Sequence, residues 1–182
     1  MRFNGKQMTK VMAGAVLAAS LSFGAVEAPT AEEALAKRIR KEILMLPYYS
    51  IFDSISYRID GDTVTLLGQV NRPTLKSDTE RVVKRVEGVA WVKNEIEVLP
   101  LSPFDDRIRI AVARAVYGQS ALNRYALGAH PPIHILVKNG NVVLEGVVAN
   151  QGDRYIANIA ANGVSGVFSV TNNLRVEGKR NS

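Results

Sequence analysis

The chain has 182 residues, contains no cysteine and carries a formal net charge of +6. The absence of cysteine excludes disulfides, thiolate metal sites, a catalytic thiol and attachment of lipid through a cysteine. The basic residues are not accompanied by clustered aromatic residues, which argues against nucleic acid as a partner.

The first 28 residues have the organisation of a secretory signal peptide. Arg2, Lys6 and Lys10 precede an apolar stretch over 11–26, and a small-residue site ends at Ala28. That stretch has 16 residues, fewer than the ~20 that a membrane-spanning helix needs, which favours cleavage over anchoring. We therefore expect an exported protein that is not a lipoprotein.

The first predicted module, residues 31–99, contains a helix, two strands, a second helix and a third strand. Apolar residues recur at helical spacing up to Pro47, which ends the first helix. Ile55, Tyr57 and Ile59 alternate as a strand, and Asp60-Gly61 supplies a tight hairpin turn. The remaining predicted elements are a strand over 64–70, a helix over 73–87 and a strand over 89–98.

The second predicted module, residues 105–178, follows a linker over 100–104. Two prolines stiffen this linker and its apolar residues favour burial, so we expect the modules to hold a preferred orientation. The order of elements in the first module then returns. The predicted elements are a helix over 108–117, strands over 133–137 and 142–148, a helix over 153–162 and a strand over 167–176.

The two modules are copies of one unit. Asp62 to Val98 aligns without a gap onto Gly140 to Val176, a constant offset of 78 residues over 37 positions. Each module of about 70 residues is marginal as an independent fold, so we expect the two to pack on each other. The fold class predicted is α+β, two tandem αββαβ sandwich modules, each a small mixed sheet packed by two helices.

The duplicated glycines and asparagines resemble those of a known family. Gly68 lies in a hairpin that leads to a helix, and Val86-Glu87-Gly88-Val89 then leads to Asn94; the second module repeats this pattern at Gly146 and Asn172. The chain is similar in these features to BON domain proteins (bacterial OsmY and nodulation). The resemblance implies an αββαβ fold, a periplasmic or secreted location, no catalysis, and binding of phospholipid surfaces or envelope proteins, often under osmotic stress.

The excess positive charge is predicted to lie in the second module. Residues 29–99 contain 11 basic and 11 acidic side chains, whereas residues 100–182 contain 9 and 5. An anionic membrane surface attracts such a module by roughly 1 kcal/mol per nearby Lys or Arg, attenuated by salt over about 10 Å. The alternative interpretation is an ordinary solubility charge, part of it placed at Lys179 and Arg180 near the C-terminus.

The first helix of the second module has two apolar sides. At 100° per residue, Ile110, Ala113 and Tyr117 form an apolar stripe nearly opposite the side that suits the core. The first module has charge, Arg38 and Lys41, in the region of this stripe. The stripe either enters a headgroup layer or partner surface, or packs against the first module. Arginines border the stripe, Arg107 and Arg114 on one edge and Arg109 on the other.

The loop that follows this helix, Gln119 to Pro132, is about nine residues longer than its counterpart and is apolar and basic. Leu122, Tyr125 and Leu127 lie in it together with Arg124. Such a composition is unusual for a solvent-facing loop. The loop either extends the contact surface of the helix or forms a lid on its own domain, an interpretation that suits Leu122 and Leu127 better than Tyr125.

No catalytic, cofactor or metal motif is evident. His130 and His134 flank a Pro-Pro pair, the glycines fall at turns, and Asp60 and Asp62 form a hairpin corner. We therefore predict no enzymatic activity, no cofactor and no small-molecule substrate. The function predicted is binding of anionic phospholipid membrane surfaces in support of envelope integrity or the osmotic-stress response; the alternative is a protein–protein adaptor or chaperone-like factor for envelope proteins or assemblies. The residues predicted to bind lipid or a partner are Arg107, Ile110, Arg114, Tyr117, Arg124 and Tyr125.

Overall fold

The computed structural model describes residues 30–178, so the predicted signal peptide lies outside the described residues. The first module comprises α1 (Ala31–Leu44), β1 (Ser54–Asp60), β2 (Thr63–Val70), α2 (Pro73–Val83), β3 (Trp91–Asn94) and β4 (Glu97–Val98). The second comprises α3 (Pro103–Tyr117), a short 3₁₀ helix (Asn123–Leu127), β5 (Ile133–Lys138), β6 (Asn141–Val148), α4 (Gln151–Asn162), β7 (Ser169–Asn172) and β8 (Arg175–Val176).

The two sheets share one mixed topology. In the first, β2 is central, β1 pairs with it antiparallel, and β3 and β4 pair with it in parallel. The second sheet repeats this arrangement around β6, with β5 antiparallel and β7 and β8 parallel. Strands β1 and β5 therefore form corresponding outer edges. The predicted fold class, two tandem αββαβ modules with small mixed sheets, is confirmed.

Each pair of helices covers one face of its sheet. Leu35, Ile39 and Ile43 recur at helical spacing on α1 and are buried against the first sheet, and Ile108, Val112 and Val116 do the same on α3. These two buried sets are offset by 73 residues, whereas the strands are offset by 78. The loop between α3 and β5 is therefore five residues longer than its counterpart, not about nine.

The offset of 73 also corrects the comparison between α1 and α3. Lys37 occupies the position that corresponds to Ile110, and Arg40 the position that corresponds to Ala113. Lys41 corresponds to Arg114. The charged residues that replace the apolar stripe in the first module are thus Lys37 and Arg40, because the loop insertion shifts the alignment upstream of the strands.

The duplicated asparagine ties each sheet to its second helix. The Asn94 amide donates to the Lys76 carbonyl of α2 and its oxygen accepts from the Ile96 amide N–H. Asn172 makes the same two bonds in the second module. The asparagine side chain satisfies backbone groups of both elements, which explains why it recurs at the break between the last two strands of each module.

The hairpin glycine allows close approach of two backbones. Gly68 has a φ of +115°, and a Cβ at this position would collide with the carbonyl oxygen of Ser54. Gly146 has a φ of +123° and faces the Pro132 carbonyl in the same way. Both the backbone conformation and the space at these positions therefore require glycine.

The modules contact each other through the loop between α1 and β1. The carbonyl of Ile51 accepts a hydrogen bond of 2.7 Å from the Ile135 amide of β5, and Phe52 packs against the core of the second module. The ring of Tyr49 lies 5.8 Å from that of His134. The two modules therefore make direct contacts with each other, as expected from the sequence.

The linker differs from expectation in one respect. Leu99 is buried, but Leu101 is 90% exposed, so not every apolar linker residue finds cover. Helix α3 begins at Pro103, inside the predicted linker, and Ser102 caps it by accepting from the Asp105 amide. Only three residues therefore separate the last strand of the first module from the cap of α3.

Candidate functional site

Tyr117 does not share an exposed stripe with Ile110. Its hydroxyl donates a 2.6 Å hydrogen bond to the Ile133 carbonyl of β5, and its ring packs against the core of the second module. Burial raises the pKa of Tyr117 to about 12, and the bond to Ile133 offsets part of that rise. The helical angle placed this residue outward, but a long side chain near the sheet edge reaches an acceptor that the angle alone does not reveal.

Arg109 is also buried, rather than placed at an exposed edge of the stripe. Its guanidinium donates to the Val137 carbonyl at 2.8 Å and pairs with Asp106 one helical turn earlier. A buried guanidinium is costly unless its charge is paired and its N–H groups find acceptors. Arg109 and Tyr117 therefore both donate hydrogen bonds to backbone carbonyls on the outer edge of β5.

The loop after α3 packs on its own module. Leu122 is fully buried, as the lid interpretation predicts, whereas Leu127 is 86% exposed, contrary to that interpretation. Tyr125 is fixed more firmly than expected, because its hydroxyl donates to Asp153 at 2.6 Å and accepts from the Ala149 amide at 2.8 Å. Arg124 pairs with Asp153 and lies 4.9 Å from the centre of the Tyr125 ring.

Three of the residues predicted to bind remain available on α3. Ile110 is 46% exposed, and Arg107 and Arg114 are exposed. Within residues 30–178 neither arginine pairs with a carboxylate. Positive charge on this helix is therefore not cancelled locally by the described carboxylates.

Two further apolar residues on α4 were missed in the sequence. Tyr155 is 61% exposed and Ile159 is 71% exposed, one turn apart on the outer side of the helix. Helix α4 packs beside α3 on the same face of the sheet. The available signal was that residues 155–162 contain no charge, which is unusual for the outer side of a surface helix. We define the helix-face patch as Arg107, Ile110, Arg114, Tyr155 and Ile159.

The corresponding face of the first module is charged and internally paired. Ser77 and Arg81 occupy the positions of Tyr155 and Ile159, and Arg81 pairs with Asp78 at 2.9 Å. Lys84 pairs with Glu80 at 2.5 Å on the same helix. The patch therefore belongs to one copy and is not a general property of the repeated unit.

A cleft of ≈ 1200 Å³ lies between the modules. His134 of β5 lines it, and the Nδ1 atom of His134 is buried without a hydrogen-bond partner among the described residues. Burial lowers the pKa of His134, while backbone groups of Asp53 and Ser50 and the charges of Asp53 and Glu145 oppose that shift. Within residues 30–178 there is no cluster of metal-binding side chains and no helix long and apolar enough to cross a membrane.

The family comparison agrees with this architecture. A family model described as "BON domain" matches residues 31–100 and 119–178. The chain belongs to the BON domain family and contains two tandem BON domains. BON domain proteins are generally non-enzymatic, occur in the periplasm, and are associated with phospholipid binding and osmotic stress. No curated protein matches the chain.

Two solved structures resemble the chain at low identity and low TM-score. The C-terminal domain of CdsD, a structural protein of the type III secretion system of Chlamydia trachomatis, is 14% identical with a TM-score of 0.31, covering 78% of this chain and 96% of that one. A second CdsD structure is 13% identical with a TM-score of 0.31, covering 80% and 94%. Similarity at this level has no bearing on function.

Proposed function

We propose that the protein is a non-enzymatic, exported envelope protein that binds anionic phospholipid surfaces through the helix-face patch of its second module. The observation that supports this is the conjunction, in one module only, of exposed Ile110, Tyr155 and Ile159 with Arg107 and Arg114. The association of BON domains with phospholipid binding and osmotic stress supports a role in envelope integrity.

The chemistry of the patch matches that of a headgroup layer. Apolar side chains that leave water gain about 25 cal/mol per Å² of buried surface, and arginine forms charge-assisted hydrogen bonds with phosphate. Each arginine near an anionic surface adds about 1 kcal/mol at moderate salt. Two arginines and three apolar side chains thus suit reversible surface binding rather than permanent insertion.

The other predicted binding residues have supporting roles in this proposal. Tyr117 and Tyr125 are held by their hydroxyls within the second module, so they position α3 and the following loop. Arg124 is half exposed despite its pairing with Asp153. Its guanidinium can therefore contribute to the positive potential beside the patch without being its main contact.

Flotation with vesicles tests the proposal. The parent protein should float with phosphatidylcholine vesicles that contain phosphatidylglycerol, and not with phosphatidylcholine alone. Arg107→Glu with Arg114→Glu should remove most binding at low salt, because attraction becomes repulsion. Tyr155→Ser with Ile159→Ser should weaken binding at low salt and remove what remains at about 1 M salt, where charges are screened beyond ~3 Å.

The matched control reverses two cations of the first module. Lys37→Glu with Lys41→Glu changes the net charge by the same amount as the arginine double variant but lies on α1. This control should float like the parent protein. Equal loss of binding in both charge-reversed proteins would show that net charge, rather than the helix-face patch, governs binding, and the proposal would fail.

A further inference from the structure

The outer edge of the second sheet is partly occupied by hydrogen bonds from other elements. The outward backbone groups of β5 belong to Ile133, Ile135 and Val137. The Ile133 carbonyl accepts from Tyr117, the Ile135 amide donates to Ile51, and the Val137 carbonyl accepts from Arg109. Each of the three outward-facing residues of this strand therefore has one bonded backbone group, three of the six outward groups. These contacts hinder addition of a foreign strand along β5.

On the outer edge of the first sheet, Tyr49 bonds to the backbone of Ile55, but within the described residues Tyr57 and Ile59 lack the partners found on β5. Ile55, Tyr57 and Ile59 of β1 correspond to the three outward residues of β5. The two-residue turn between Asp60 and Thr63 makes those two residues a hydrogen-bonded pair, so the backbone groups of Tyr57 and Ile59 point away from β2. Among residues 30–178, no side chain or backbone group bonds to these outward groups of Tyr57 and Ile59.

The sequence explains why β1 stays open. The positions of Arg109 and Tyr117 on α3 correspond to Ala36 and Leu44 on α1. Neither alanine nor leucine has a side-chain donor that could reach a strand carbonyl. Arg40, exposed between them on the same side of α1, carries a cation beside this edge and lines the inter-module cleft.

The cleft borders part of the open edge, at Tyr57. Residues 54–57 of β1 form one side of it, and residues 129–132 of the loop before β5 form another. The cleft therefore lies beside Tyr57 of the open edge, between β1 and the second module. The arginine and carboxylate side chains that line it are Arg40, Arg175 and Glu145, an excess of one positive charge.

We propose that the outer edge of β1 accepts an extended peptide segment of a partner protein by strand addition. Backbone groups of Tyr57 and Ile59 supply the hydrogen bonds, and Arg40 selects a segment with an acidic side chain. Main-chain bonds supply affinity in such complexes and alternate side chains supply specificity. This site is separate from the helix-face patch, so the two proposals can fail independently.

A synthetic probe tests the site directly. A panel of labelled peptides of about eight residues, long enough to cover a strand of ~5–6, would carry Val and Thr at alternating positions and Glu at each register in turn. Binding is measured by fluorescence anisotropy with the full chain, and amide hydrogen exchange is followed by NMR. Bound peptide should slow exchange at Tyr57 and Ile59, and N-methylation of alternate peptide nitrogens should abolish that effect.

Variants that copy the second module should close the edge. Ala36→Arg with Leu44→Tyr introduces the counterparts of Arg109 and Tyr117, and should weaken peptide binding about tenfold or more while keeping the melting temperature and vesicle flotation of the parent. Arg40→Glu should reverse the preference from Glu-containing to Lys-containing peptides. Lys37→Glu, on the outer side of the same helix, should not.

Three results would overturn the proposal. The first is failure of every peptide in the panel to slow exchange at Tyr57 and Ile59. The second is equal affinity of the parent and the Ala36→Arg, Leu44→Tyr variant for the same peptide. The third is concentration-dependent protection of these amides in the protein alone, which would assign the edge to a second copy of the chain.

Discussion

One histidine, His134, is expected to make the stability of the folded chain depend on pH. His134 lies on β5, beside the Tyr49 ring of the first module, and its pKa is lowered mainly by burial. Protonation in the folded state would place a charge in a poorly solvated position. The imidazole in the unfolded chain, with an ordinary pKa of about 6.5, takes up a proton more readily.

We predict that stability falls as the pH drops below about 6.5. The sign follows because the unfolded state binds more protons than the folded state between the two pKa values, so stability rises with pH through that window. The stabilising contribution of neutral His134 is fully present above about pH 6.5. Melting temperatures measured between about pH 5 and 8 should decline toward the acid side in the parent and change less in His134→Gln. Identical pH profiles for both proteins would contradict this account.

At the scale of elements, the loop between α3 and β5 depends on one hydroxyl. Tyr125 joins Asp153, at the start of α4, to the Ala149 amide, and Leu122 anchors the loop in the core. Removal of one partner leaves buried polar groups unsatisfied, which costs about 1–3 kcal/mol.

Tyr125→Phe should therefore loosen the loop without unfolding the module. Limited digestion with trypsin should cut after Arg124 faster in this variant than in the parent, because local opening becomes easier. Leu127→Ala is the control, since Leu127 is exposed and its truncation should leave the cleavage rate unchanged. Faster cleavage in both variants would indicate a loop that is open irrespective of Tyr125.

Most elements could be predicted from the spacing of apolar residues and turn glycines. The Asn139-Gly140 turn has positive φ at both residues, and the repeat placed the helices of both copies. The burial and the hydrogen bonds of Tyr117 and Arg109 could not be predicted, because a helical angle describes the Cβ direction and not the reach of a long side chain. Tyr155 and Ile159 were missed because the apolar residues of a short helix are assigned to the core by default, and the sequence alone does not show which of them are exposed.

At the scale of the whole molecule, the contact between modules depends on few residues. Phe52 reaches from the first module to the core of the second, Ile51 bonds to β5, and Glu97 pairs with Lys138 at 2.5 Å. Among the described residues, Phe52 is the apolar side chain of the first module that packs against the core of the second, so it can decide the orientation of the modules.

Phe52→Ala should free the modules from each other while each stays folded. Small-angle X-ray scattering should show a larger radius of gyration and a broader distance distribution than for the parent, and circular dichroism should be unchanged. Tyr48→Ala is the matched control, because Tyr48 lies in the same loop but is exposed beside Arg72. A compact Phe52→Ala protein would show that the linker and the Glu97–Lys138 pair suffice.

The difference between β1 and β5 sets the valency of the molecule. If both strands offered unpaired backbone groups, each chain could receive two extended segments, and partners with two such segments could cross-link chains without limit. The hydrogen bonds that Tyr117, Arg109 and Ile51 make with β5 leave β1 as the more open of the two edges. A chain with one acceptor of this kind ends a series of such contacts instead of extending it.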